Sequence, residues 1–206
     1  MMLRNMMMAS PFLGLWFLGA GLLGLAQSAP LRAEDLAAPR AVVERFHAAL
    51  IENMKKGEAL GFEGRRAKLD TLVKEIFDIP TMARISTGAA WQKITQAERD
   101  GIIAAFTAWT AANYAGNFRA WDGESFTTKD QTPDDGRGNV LVNTALYFKG
   151  VPPVLFNYRL HKVGDAWRVF DIYIDGAVSQ LALRRAEFAA VLSRGSAMDL
   201  IAHMNR

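Results

Sequence analysis

Apolar residues recur every three or four positions in the first half of the chain, and every second position in most of the second half. In PRAVVERFHAALIENMKKG, Val43, Phe46, Leu50 and Met54 fall on one helical face, with Glu44, Arg45 and Glu52 turned away. This spacing predicts an amphipathic helix, broken by Gly57 and Gly61. RRAKLDTLVKEIFD predicts a second helix with a stripe of Leu69, Leu72, Val73, Ile76 and Phe77, limited by Pro80. TMARISTGAAW predicts a short third helix ended by Gly88. ITQAERDGIIAAFTAWTAANYAGNFRAW carries the longest helical pattern, opened by a capping box of Thr95 and Glu98. Its broad apolar face takes in Ile102, Ile103, Phe106, Trp109, Ala112 or Asn113, and further on Tyr114 and Phe118. At about 1.5 Å per residue it spans on the order of 35 Å.

Beyond it the period drops to two. ESFTTKD is a short strand, and TPDDGRGN is turn chemistry. NVLVNTALYFKG alternates Val140, Val142, Thr144, Leu146 and Phe148 against Leu141, Asn143, Ala145 and Tyr147. VLFNYRLHKVGDAWRVFDIYID reads as two strands joined by a turn at Gly164 and Asp165. On the first of them Val154, Phe156, Tyr158 and Leu160 share one face, and Asn157, Arg159 and His161 share the other. AVSQLALRRAEFAAVLSR and, after Gly195, AMDLIAHM return to helical spacing. Helices, then sequential strands, then helices predict an α+β fold, with a curved antiparallel sheet of about four strands packed by its apolar face against several helices.

The N-terminal stretch changes how the rest is counted. Arg4 precedes an apolar run from about Pro11 to Ala26, followed by small residues, with no acid before Glu34. That layout predicts a signal peptide over 1–33, cleaved after Ser28 or Ala33, and a single domain over 34–206. The run would span roughly 24 Å, short of the ~30 Å hydrocarbon core of a bilayer. Of 24 basic residues, loss of Arg4 and Arg32 leaves 22 against 21 acidic ones. A near-neutral mature chain gives no electrostatic case for nucleic-acid binding. The absence of cysteine excludes disulfides, thiolate metal sites and cysteine nucleophiles.

Candidate chemistry is sparse. Gly19, Gly21 and Gly24 spell a dinucleotide fingerprint, but inside the apolar N-terminal run rather than between a strand and a helix, so no cofactor is expected. His47, His161 and His203 lack metal-ligand spacing and are expected to be structural. Asp171 and Asp175 form the one acid pair in an apolar stretch. If both lie on one strand they share a face with Cα atoms roughly 13 Å apart, wider than the roughly 5–9.5 Å between carboxyl groups in glycosidic chemistry. Asp175 precedes Gly176 and a helical pattern, which suits an N-cap. Architectural roles are the better reading, and a small α+β enzyme using the pair as acid and base is the alternative.

At WRVFDIYIDGAVSQLALRRAEFAAVLSRGSAMDLIAHM the chain resembles the MlaC-type periplasmic lipid-binding proteins. The resemblance is carried by Trp167, Asp171, Asp175, Gly176, Arg185, Phe188, Gly195, Leu200 and Ile201, and earlier by Thr95, Arg99, Phe106 and Tyr114. LGFEGRRAKL and FDIPTMARISTGAAW are similar to the branch found with hopanoid-biosynthesis genes, called HpnM. Where the family often has Gly-Val-Ser after the acid, this chain has Gly176, Ala177, Val178 and Ser179. The resemblance implies a periplasmic, non-enzymatic carrier with a deep apolar pocket between helices and sheet. Its cargo would be a phospholipid or hopanoid-type lipid, moved between an inner-membrane lipid transporter and an outer-membrane lipoprotein complex. The residues expected to line the pocket are Phe106, Trp109, Tyr114, Phe118, Leu146, Phe148, Phe156, Tyr158 and Val178. The competing possibilities are a solid core and a non-lipid periplasmic adaptor.

Overall fold

The computed structural model describes residues 33–206, so the signal-peptide expectation lies outside the described residues. The order is α1 (Ala33–Lys55), α2 (Gly57–Ile76), α3 (Ile79–Thr87), a 3-10 turn (Gly88–Gln92), α4 (Gln96–Asn117), β1 (Ser125–Pro133), β2 (Val140–Phe148), β3 (Val151–Val163), β4 (Ala166–Ile174), β5 (Val178–Ser179), α5 (Gln180–Leu192) and α6 (Ala197–Met204). It is an α+β fold with one open antiparallel sheet in the order β1-β2-β3-β4-β5. Among the described residues no helix is long and apolar enough to cross a membrane.

The helices follow the periodicity. Val43, Phe46 and Leu50 of α1 are wholly buried, and so are Val73 and Ile76 of α2. Gly61 interrupts α2 as a kink between two helical stretches; its φ of 60° is a conformation that glycine adopts without a side-chain clash. Asp78 caps α3 by accepting from the Thr81 amide at 3.1 Å, and Gly88 ends that helix at a φ of 62°. Thr95 and Glu98 form the full capping box of α4.

Sequential antiparallel pairing fixes the sheet register, with Thr144 opposite Phe156 and Phe156 opposite Ile174. Three register shifts interrupt it. Lys129 is the extra residue on β1, Pro152 and Pro153 oppose Tyr147 at the β2–β3 hairpin, and Phe170 is extra on β4. Such bulges bend strands and increase their twist. On β1 the bulge joins two further features: Pro133 ends the strand, and the Arg40 guanidinium of α1 reaches the Thr128 carbonyl at 3.5 Å.

The segment after β4 departs from the sequence reading. Val178 and Ser179 pair with Ile174 and Tyr173 as the short fifth strand, so α5 starts only at Gln180. Its cap is Ser179, whose hydroxyl accepts from the Ala182 amide at 2.9 Å. Asp175 is therefore not the cap. It sits at a φ of 51° and clamps β3, donating its amide to the Leu155 carbonyl at 2.9 Å and accepting from the Leu155 amide at 3.1 Å.

Candidate functional site

A cavity of about 140 Å³, partly open to solvent, lies between α4, α5 and the inner face of β3 and β4. Helix α4 supplies most of one wall. Phe106, Trp109, Thr110, Asn113, Tyr114 and Asn117 follow helical i, i+3, i+4 spacing, and Phe118 sits at the cap. Phe77 and Met82 close the side next to α3. Phe156, Ile172 and Ile174 form the sheet wall, with Asp171 at its edge, and Gln180, Leu181 and Arg184 come from α5. The rings pack against one another around this space. Tyr114 stacks on Phe118 with centroids 5.8 Å apart, and Phe106 meets Phe188 edge-on at 5.6 Å. Burial pushes the Tyr114 phenol far above its ordinary pKa, so the ring stays neutral in an apolar wall.

Five of the nine residues expected on the pocket wall lie on this cavity: Phe106, Trp109, Tyr114, Phe118 and Phe156. The other four lie elsewhere. Leu146 is wholly buried in the solid core. Tyr158 is buried against α1, where its hydroxyl is 3.0 Å from His47 Nε2. Phe148 lies past the β2–β3 register shift and packs on the core's edge. Val178, in β5, is 44% exposed. Alternation places Leu146, Phe148 and Tyr158 on the greasy face, but cannot say which part of that face is sealed by α1 and which is left open beside α4.

The sequence reading did not assign the polar lining, nor Phe77, Met82, Ile172, Ile174 and Leu181. For α4 a signal was present: Thr110, Asn113 and Asn117 share the face of Phe106 and Trp109 by spacing alone. For α5 no local signal existed, because the start of that helix depends on the pairing of β5.

The two aspartates do not make a joint site. Asp171 is buried. Its Oδ1 accepts from the amides of Ile172 (2.8 Å) and Leu181 (3.0 Å), and its Oδ2 from the Ser179 hydroxyl (2.8 Å). Arg159 Nη1 lies 4.0 Å from Oδ2. The carboxylate thus ties the start of α5 to the sheet. Asp175 is exposed and engaged with Leu155.

A concave wall of carbon with a few polar groups along one edge defines a site for an apolar or amphiphilic ligand. The chain belongs to the MlaC protein family, whose model matches residues 44–206. Its fold is similar to that of the phospholipid-binding protein from Ralstonia solanacearum, solved in complex with a phospholipid. The TM-score is 0.68, the identity 24%, and the match covers 81% of this chain and 94% of that one. No curated protein sequence matches the chain.

Proposed function

We propose that this cavity holds the hydrocarbon of a phospholipid or hopanoid-type lipid. In this reading the mature chain carries its cargo through the periplasm, as the soluble part of a lipid transport system. It receives the cargo from one membrane's machinery and delivers it to the other's, working with an inner-membrane lipid transporter and an outer-membrane lipoprotein complex, after residues 1–33 have directed export. The observation that carries the reading is the set of aromatic rings Phe106, Trp109, Tyr114 and Phe118 along α4, facing Phe156, Ile172 and Ile174 across the cavity. Membership of the MlaC family supports it, as does the fold shared with a protein solved with a phospholipid. The chain acts as a binding protein rather than an enzyme, because Asp171 and Asp175 serve separate structural contacts.

Pockets that hold drug-sized ligands measure about 300–1,000 Å³. At about 140 Å³ the present cavity is smaller, so in this reading it widens on loading.

The test uses protein taken from the periplasmic fraction, where N-terminal sequencing should begin near Ala29 or Glu34. Organic extraction of that protein should release lipid at roughly one molecule per chain, and stripped protein should take up lipid from vesicles. Phe156→Glu places a carboxylate on the apolar wall, which is costly to desolvate. It should lower lipid occupancy sharply while circular dichroism stays native. Full occupancy in that variant, or lipid-free protein that takes up nothing, would overturn the proposal.

A further inference from the structure

Most of the polar groups on the cavity wall come from two helices. Asn113 and Asn117 stand one turn apart on α4, and Gln180 and Arg184 stand one turn apart on α5. Both pairs line the same cavity, and Thr110 of α4 and Asp171 of β4 are its further polar members. Arg184 is the one cation on the wall. Its guanidinium lies over the Trp109 ring, 4.3 Å from the centroid, and Nη1 donates to Glu187. Glu187 is held in turn by His203 at 2.7 Å. A guanidinium offers a fork of five N–H donors, so fixing one edge and one face leaves the rest pointing elsewhere. Asp171, the anion on the wall, is already engaged by two amides and a hydroxyl, with Arg159 beside it.

We infer that Arg184 receives the phosphate of the bound lipid's headgroup, so that the cargo sits tails inward with its headgroup between α4 and α5. This rests on the lipid-carrier reading and narrows it to a phosphate-bearing amphiphile. The chemistry suits the residue, because a planar guanidinium pairs with two phosphate oxygens at once. Trp109 and Glu187 hold the fork in place before the ligand arrives, which lowers the ordering cost of binding.

The experiment compares uptake by stripped protein of phosphatidylglycerol and of diacylglycerol with the same acyl chains. The wild-type protein should prefer phosphatidylglycerol. Arg184→Gln should weaken phosphatidylglycerol uptake about ten-fold or more, the usual scale for losing a charge-assisted hydrogen bond, and leave diacylglycerol uptake unchanged. Arg184→Lys keeps the charge without the fork and should fall between the two. Equal loss of both lipids in Arg184→Gln would make the residue merely structural and overturn the inference. So would unchanged phosphatidylglycerol uptake in that variant, with the lipid-carrier reading left standing. Binding of inorganic phosphate alone, lost in Arg184→Gln, would assign the site to a free anion and equally overturn it. Failure of the wild-type protein to take up either lipid would instead remove the carrier reading on which the inference depends.

Discussion

At the scale of single residues, His47 shows how a polar group can be placed in a core at a cost that depends on pH. It is 4% exposed, stacks on Phe126 with centroids 3.9 Å apart, and lies 3.0 Å from the Tyr158 hydroxyl. Burial pushes its pKa from 6.5 down to about 3. Between those values the unfolded chain takes up a proton that the folded chain does not. Stability is therefore fully present above about pH 6.5 and falls as the pH drops toward 3, by at most about 1.4 kcal/mol per pH unit. Urea unfolding at pH 7.5 and pH 5 should show a loss of about 2 kcal/mol from this group. In His47→Gln the decline over that interval should be shallower by the same amount. An identical decline in both proteins would mean that His47 is protonated in the fold. The sequence reading expects a structural histidine at this position, and helical spacing already sets it next to Phe46. Its partner Tyr158 lies 111 positions away, which no local pattern reports.

At the scale of elements, the join between sheet and α5 decides the geometry of the cavity edge. Asp171→Ala would strand the buried amides of Ile172 and Leu181 and the Ser179 hydroxyl, at a cost of about 2–3 kcal/mol. Asp171→Asn should recover much of that, because an amide can still accept from the two N–H groups and donate to Ser179. Asp175→Ala removes one exposed acceptor and should cost about 1 kcal/mol or less. Thermal or urea unfolding of the three variants would rank them, and equal losses at Asp171 and Asp175 would contradict this division of roles. The element boundaries show why the join was not legible. The α4 cap was readable because Thr95 and Glu98 are three residues apart and satisfy each other locally. The α5 start was not, because Val178 and Ser179 are committed to β4 by ladder bonds. An acid before a glycine looks the same in sequence whether it caps a helix or, as Asp175 does, occupies a left-handed turn and grips another strand.

At the scale of the whole molecule, the layered α+β architecture was readable from the change of period, and half the chain's being hydrophobic gave it enough material for a core. What periodicity could not supply was the distinction between filled and open parts of that core, since Phe156 and Tyr158 are neighbours on one face with different fates. For a carrier the magnitudes then constrain how cargo moves. Burying about 15 methylenes at ~0.8 kcal/mol each is worth on the order of 12 kcal/mol, roughly nine decades in an equilibrium constant. Release into water is correspondingly slow. Transfer of a fluorescent phospholipid from the protein to acceptor vesicles should therefore speed up in proportion to vesicle concentration. A rate independent of that concentration would indicate escape through water.

The outer edge of β1 bears on how the protein stays apart from its own copies. An open sheet offers a row of free backbone groups to any passing strand, which makes its edge a site for self-association. Lys129 bulges out of that edge, Pro133 closes its end, and Arg40 from α1 occupies the Thr128 carbonyl. Strand-by-strand stacking of one copy on the next is thereby discouraged at the sheet's longest free margin. Edge-to-edge aggregation is thus opposed by three separate features of one strand, each of them local to β1 or to the helix that lies beside it.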